Sequence, residues 1–431
     1  GSREFQTALS GASAVQQQKF TLVKAAFELR LLVAELNMSE ATKLVKRSLP
    51  PTDSLTPDPS YAALFLSLGH YHYCLRQPDK AIDFSKRAMH YYQELDNPER
   101  TAESFLDLGA EFLAKGNLRE AKDYISFGKK IAHDQGRACV RVRSLALESV
   151  ATYLAGNYSG VIADCLDGIS ICCENGMREY EHFFHFFCAR ALFDLGDLQT
   201  AMEHLHQCLA LGTLYEMKNT RSVVYNWIAR CALYSNNAAL SLEILKASEE
   251  TAETLFVKAE ILSFQGDYKK AAKLLGKAMH MPFDHGPRFL RPVAWEHGWA
   301  GIEDLCLDLS TNGTLLFRLI RAFHAYNLAR AGAVNEGIRE LHEMTITDKF
   351  SPVDPAAFFC YFLYYMVLKS VDTPRDYFED SAHGLTILNK ALKHLQERAT
   401  AIEEPRDRIN YLSRNRWNKM LMDEAKVNKL I

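Results

Sequence analysis

Apolar residues recur along most of the chain at three- and four-residue spacing, in runs separated by short polar breaks. ALFLSLGHYHYCL precedes one break, AESFLDLGAEFLA the next, and AKDYISFGKKIA follows it. The breaks keep a register. RQPDKAI begins at Arg76, GNLREAK at Gly116, GNYSGVI at Gly156, GDLQTAM at Gly196 and NNAALSL at Asn236, each forty residues after the last. GDYKKAA follows at Gly266 after thirty. Small or short residues hold one phase behind each break: Ala81, Ala121, Val161, Ala201, Ser241 and Ala271. Gly-Asn, Gly-Asp and Asn-Asn stop one helix and start another. The pattern therefore predicts helical hairpins with close-packed partners, stacked so that neighbours share one apolar seam.

The flanks of the register are more irregular. Residues 17–48 predict helix, PPTDSLTPDPS from Pro50 predicts a break, and residues 281–310 hold MPFDHGPRFLRPVAWEHGWAG. Its three prolines argue against one uninterrupted helix. That stretch is expected to be an ordered excursion whose Trp295 and Trp299 pack on the array. Helical pattern returns from Gly313, and AFFCYFLYYM is too short to span a membrane, so it predicts a buried helix. The division expected is 1–59 N-terminal helical segment, 60–280 repeat array, 281–310 excursion, and 311–431 divergent repeats with a terminal cap.

The repeated units resemble the tetratricopeptide repeat (TPR) family. Phe65, Leu68, Gly69, Ala81 and Ala88 match its pattern, as do Phe105, Leu108, Gly109, Ala121 and Tyr124 in character. Ala189 and Ala229 replace the early Gly in later units, and the forty-residue period resembles the longer variety in bacterial regulators and signalling scaffolds. The resemblance covers about residues 60–280. It implies an all-α fold, a right-handed superhelix of antiparallel hairpins. It also implies that the first helix of each hairpin lines a concave face that binds protein or peptide.

Carrying the family's inward phase onto this sequence gives His70, Tyr73, Arg143, Tyr153, Arg190, Asp194, Asn226, Arg230, Tyr234 and Glu260. Arg190 and Arg230 recur in FCARALFDLGDLQTA and WIARCALYSNNAALS, forty residues apart. Two guanidinium groups in one phase suit an acidic partner or a free C-terminus. The competing expectation is that each arginine pairs with a nearby acid, such as Asp194 or Asp197, and covers the packed helices. Phe183, Phe186 and Phe193 either add apolar contact there or pack as core.

Charge and chemistry narrow the classes further. The formal net charge of -3 gives no basic bias toward nucleic acid, so direct nucleic-acid binding is not expected. The ten cysteines lie among apolar neighbours without a CxxC pair and read as small buried hydrophobes. HExxH, GxxxxGK and GxSxG motifs are absent. His182 and His185 share a helical face, but two histidines alone do not make a zinc site. No cofactor is expected. Gly1-Ser2 without a Met reads as a cloning remnant, which leaves a cytoplasmic location as the default. The expected function is a non-enzymatic protein- or peptide-binding scaffold, with self-association possible. The alternatives are a sensor segment of a larger nucleic-acid-binding or signalling protein, and an enzyme whose site lies in the divergent C-terminal region.

Overall fold

The computed structural model describes residues 13–34, 37–48, 58–75, 77–135, 138–214, 218–281, 313–347, 356–370 and 382–431. Trp295, Trp299 and the excursion from residue 282 onward lie outside them, so their expected packing is not addressed. The described residues form helices and contain no strand. They pack as two compact units, one up to Ala151 and one from Thr152 onward.

The first unit holds α1 (Ala14–Ala34), α2 (Met38–Ser48), α3 (Pro59–Cys74), α4 (Pro78–Glu94), α5 (Pro98–Ala114), α6 (Leu118–Gln135) and most of α7 (Ala138–Ala155). Here α3 with α4 and α5 with α6 form antiparallel hairpins, and α1 packs on α3. Leu22, Leu29, Phe65, Leu68 and Tyr92 share one core.

The second unit continues the pattern. It holds α8 (Tyr158–Glu174), α9 (Glu181–Asp194), α10 (Leu198–Leu214), α11 (Lys218–Tyr234), α12 (Ala238–Ile244), α13 (Ala252–Phe264) and α14 (Tyr268–His280). Beyond these come α15 (Gly313–Arg330), α16 (Val334–Thr347), α17 (Ala357–Lys369), α18 (Ala382–Thr400), α19 (Pro405–Arg414) and α20 (Arg416–Val427). Consecutive helices again pack side by side, α9 with α10, α13 with α14, α15 with α16 and α17 with α18. The chain therefore has an all-α fold of the TPR-like, stacked-hairpin superhelical type.

The two-residue breaks divide the labour of turning the chain. Their first residue takes a left-handed conformation, with φ of 79° at Gly116, 86° at Gly156, 77° at Gly196, 62° at Asn236 and 84° at Gly266. Their second residue caps the next helix. Asn157 accepts from the Gly160 N–H, Asn237 from Leu240 and Asp267 from Lys270. The residues in phase behind the breaks are sealed between helices: Ala81, Ala121, Val161, Ala201, Ser241 and Ala271 are all 0% exposed. At Gly109 a Cβ would come within 2.5 Å of Ile125 Cγ1, so the family glycine here serves close helix approach.

AFFCYFLYYM forms the buried helix α17, with Phe362 and Tyr364 fully enclosed. Phe183, Phe186 and Phe193 are buried core rather than an exposed apolar surface. Among the described residues no helix is long and apolar enough to cross a membrane.

Candidate functional site

Of the sequence-selected residues, His70, Tyr73 and Arg143 fall in the first unit and are buried. Asp107 on α5 accepts a hydrogen bond from Arg143 and lies 3.1 Å from His70 Nε2. Burial alone would raise the Asp107 pKa, but Arg143 and His70 hold it well below the carboxylate range. Next to this group Glu111 receives a hydrogen bond of 2.6 Å from the Ser85 hydroxyl. Burial pushes the Glu111 carboxyl well above its ordinary value. These contacts describe a buried polar seam between hairpins, closed rather than open to a partner.

In the second unit the inner helices line a partly open cavity of about 170 Å³. Tyr153, Arg190, Asp194, Arg230, Tyr234 and Glu260 all line it. The register is the reason: forty residues return one phase of α9 on α11, and the shorter step of thirty brings Glu260 of α13 to the same cavity. Asn226 is in the same region but not in the lining; it accepts a hydrogen bond from the Thr254 hydroxyl.

The two repeated arginines sit on aromatic rings. The guanidinium carbons of Arg190 and Arg230 each lie 4.8 Å from the Trp227 ring. Arg190 is also 4.5 Å from the Tyr153 ring, and Arg230 is 5.2 Å from Phe193. Such stacking holds a desolvated cation in place. Their hydrogen bonds differ. Arg190 donates to the Tyr153 hydroxyl at 3.1 Å, which donates in turn to Asp194 at 2.7 Å. Arg230 donates to Glu260 at 3.0 Å, and Tyr234 donates to the other Glu260 oxygen at 3.0 Å. The acid that meets Arg230 is thus Glu260, one hairpin on, and not Asp194 or Asp197. Asp197 instead caps α10, accepting from Thr200.

Burial raises the pKa of Asp194, opposed by the Tyr153 hydrogen bond and by Arg398, Arg190 and Arg230. It likewise raises Glu253, opposed by Arg230, Arg190 and Asn226.

The rest of the wall comes from residues that the sequence did not single out. Arg398, at the end of α18, donates to the Tyr158 hydroxyl at 3.0 Å, and Tyr158 packs 5.4 Å from Tyr411. Trp417 sets its edge against Phe359 at 5.1 Å and packs on Phe264 at 5.7 Å. Val257, Leu316, Leu319 and Phe359 make an apolar section. The helices expected to cap an end therefore also form part of the cavity wall. Trp227 and Trp417 are buried, and neither indole N–H finds an acceptor among the described residues. Trp227 stands beside Asn226 in a first helix, which was its only sequence signal. Trp417 read only as an apolar contact of the terminal cap, and Arg398 and Tyr411 had no signal.

His185 faces His204, with Nδ1 atoms 2.8 Å apart, rather than joining His182 in a ligand pair. Among the described residues no group of three or more His, Cys, Asp or Glu side chains is arranged to hold a metal. Cys165, Cys172, Cys188, Cys208, Cys231 and Cys360 are buried, whereas Cys173 is exposed.

The TP_0123_C family, described as a C-terminal domain, matches residues 304–429, which include α15, α17 and the C-terminal helices of the cavity wall. No curated protein matches the sequence. Similar solved structures include a tetratricopeptide repeat protein from Parabacteroides merdae, at 14% identity and a TM-score of 0.46, covering 68% of this chain and 99% of that one. Rap protein complexed with Competence and Sporulation Factor is similar at 13% identity and a TM-score of 0.48, covering 96% and 98%. The apo quorum sensor NprR from B. thuringiensis is similar at 12% identity and a TM-score of 0.43, covering 93% and 97%.

Proposed function

We propose that the chain is a non-enzymatic recognition scaffold of the long-repeat TPR kind, which binds a protein or peptide partner through its second unit. One observation carries this reading. Six side chains in the inward phase of successive hairpins converge with the C-terminal helices on one cavity walled by arginines, carboxylates and aromatic rings. Mixed polar and aromatic walls around a preformed concavity suit recognition. A general preference for acidic partners does not form part of the proposal. Glu260 already meets Arg230, and the Tyr153 hydroxyl already meets Arg190.

The test captures partners on the immobilised chain, then measures affinity on the purified pair. Leu319→Trp fills the cavity from its apolar wall without removing a buried charge. An Arg190→Ala, Arg230→Ala double variant removes the stacked cations. Loss of binding in both, with the helical circular dichroism kept in Leu319→Trp, supports the reading. Unchanged affinity in Leu319→Trp rejects the cavity as the recognition site.

A further inference from the structure

Helix α1 is apolar on two faces. Leu22, Ala26, Leu29 and Val33 are buried in the core it shares with α3. Phe20, Val23, Phe27 and Leu31 follow one another by three, four and four residues, which sets them in a second stripe along the helix. That stripe is bare. Phe27 is 68% exposed and Val23 48%, and Phe20 and Leu31 are exposed as well. Large apolar side chains exposed on other helices stand singly, as Phe127 does on α6, Leu166 on α8 and Leu214 on α10.

A helix on the outside of a repeat array normally turns a polar face to water, and one that is apolar all round belongs in an interior. The α1 stripe therefore calls for a cover. Its border says which cover fits. Lys24 and Glu28 flank the stripe on one side, one turn apart, and face water while they pair at 3.5 Å. A parallel copy of α1 would set Lys24 against Lys24 and Glu28 against Glu28. An antiparallel copy sets the Lys24 of each against the Glu28 of the other. The same antiparallel register brings Phe20 onto Leu31 and Val23 onto Phe27. All these exchanges share one centre, at the level of Ala25 and Ala26, as a two-fold axis requires. On the other border Lys19 is already held by Asp58 at 2.6 Å.

We infer that α1 is a self-association surface, on which two copies of this chain pack their exposed stripes antiparallel about a two-fold axis. The occupant is a second copy because both the apolar steps and the charged border match their own reverse. This surface lies in the first unit and does not depend on the cavity of the second, so either reading can fail alone. A single helix pair is at the small end of specific interfaces, so the dimer is expected in the micromolar range rather than tighter.

Sedimentation equilibrium of the full chain from about 1 to 100 µM tests this, and the chain should pass from monomer to dimer across that range. Phe27→Glu puts a charge at the middle of the stripe on an exposed position. It should keep the helical circular dichroism and weaken the dimer by at least about tenfold. Lys24→Glu and Glu28→Lys each leave only like charges along the border, and each should weaken the dimer by about threefold or more. An equal mixture of those two variants should restore it. Oxidative crosslinking reads the direction. A mixture of Phe20→Cys and Leu31→Cys should crosslink above the wild-type background, whereas Phe20→Cys alone should not, because its two copies would lie more than about 16 Å apart.

A chain that stays monomeric throughout the range overturns the proposal and leaves the stripe to a different protein. A dimer undiminished in Phe27→Glu overturns it too, as does a mixture of Lys24→Glu with Glu28→Lys that dimerises no better than either alone. Crosslinking of Phe20→Cys alone at the level of the mixture overturns the antiparallel packing.

Discussion

Replacing Arg230 with Met separates the structural part of the repeated arginine from its recognition part. Met keeps much of the apolar length that lies along Trp227 and Phe193 but removes the charge. Glu260, whose side chain is 1% exposed, is then left with the Tyr234 hydroxyl alone. Breaking a buried pair from one side costs about 3–5 kcal/mol. The Tyr234 hydroxyl still donates to Glu260, so the expected loss at pH 7 lies at the lower end, about 3–4 kcal/mol.

Glu260→Gln added to Arg230→Met should recover most of the loss, because the amide leaves no stranded charge. Urea denaturation gives the magnitudes, and hydrogen exchange in α11 and α13 shows where the loosening falls. A loss below about 0.5 kcal/mol, or a double variant no more stable than Arg230→Met, would refute the reasoning.

Other consequences fall in both units. Glu111→Gln should gain stability relative to the wild type as pH rises from 5 to 8 in chemical denaturation, because the raised Glu111 carboxyl loses its contribution as it ionises. Asp107 has the opposite sign: its stabilisation is complete above the unfolded pKa and declines as pH falls below about 4, so Asp107→Asn should flatten the acid limb of the stability curve. His185 is pushed down to about 4 by burial and then by His204, so stability present above the unfolded value near 6.5 is lost as pH falls toward 4. His185→Gln should reduce that slope, read as the urea midpoint between pH 7 and pH 5. Gly109→Ala should cost about 1–3 kcal/mol by overpacking against Ile125, measured by the same denaturation.

The hairpins were legible because their signals are local. A left-handed glycine followed by an Asn or Asp cap, as at Gly156-Asn157 and Gly266-Asp267, fixes a turn from adjacent residues. The shared phase of Arg190 and Arg230 was legible too, since a register of forty returns the same face. Which acid would meet Arg230 was not, because Glu260 comes from the next hairpin and depends on how the two stack. The C-terminal part of the cavity wall was least legible. Arg398 reaches Tyr158 across 240 positions of sequence, and nothing local to RATAIEEPRDR announces that contact. Glu253 was overlooked for a related reason: an acid in the first turn of a helix is already explained by the helix dipole.

The most direct test of the recognition site is hydrogen exchange on the full chain, free and saturated with a purified partner. Protection is predicted in the cavity-lining segments of α9, α11, α13 and α18–α20, and it should vanish in Leu319→Trp. Protection confined to the outer helices α10 and α14, or to α1–α6, with the cavity-lining segments unchanged, would contradict it.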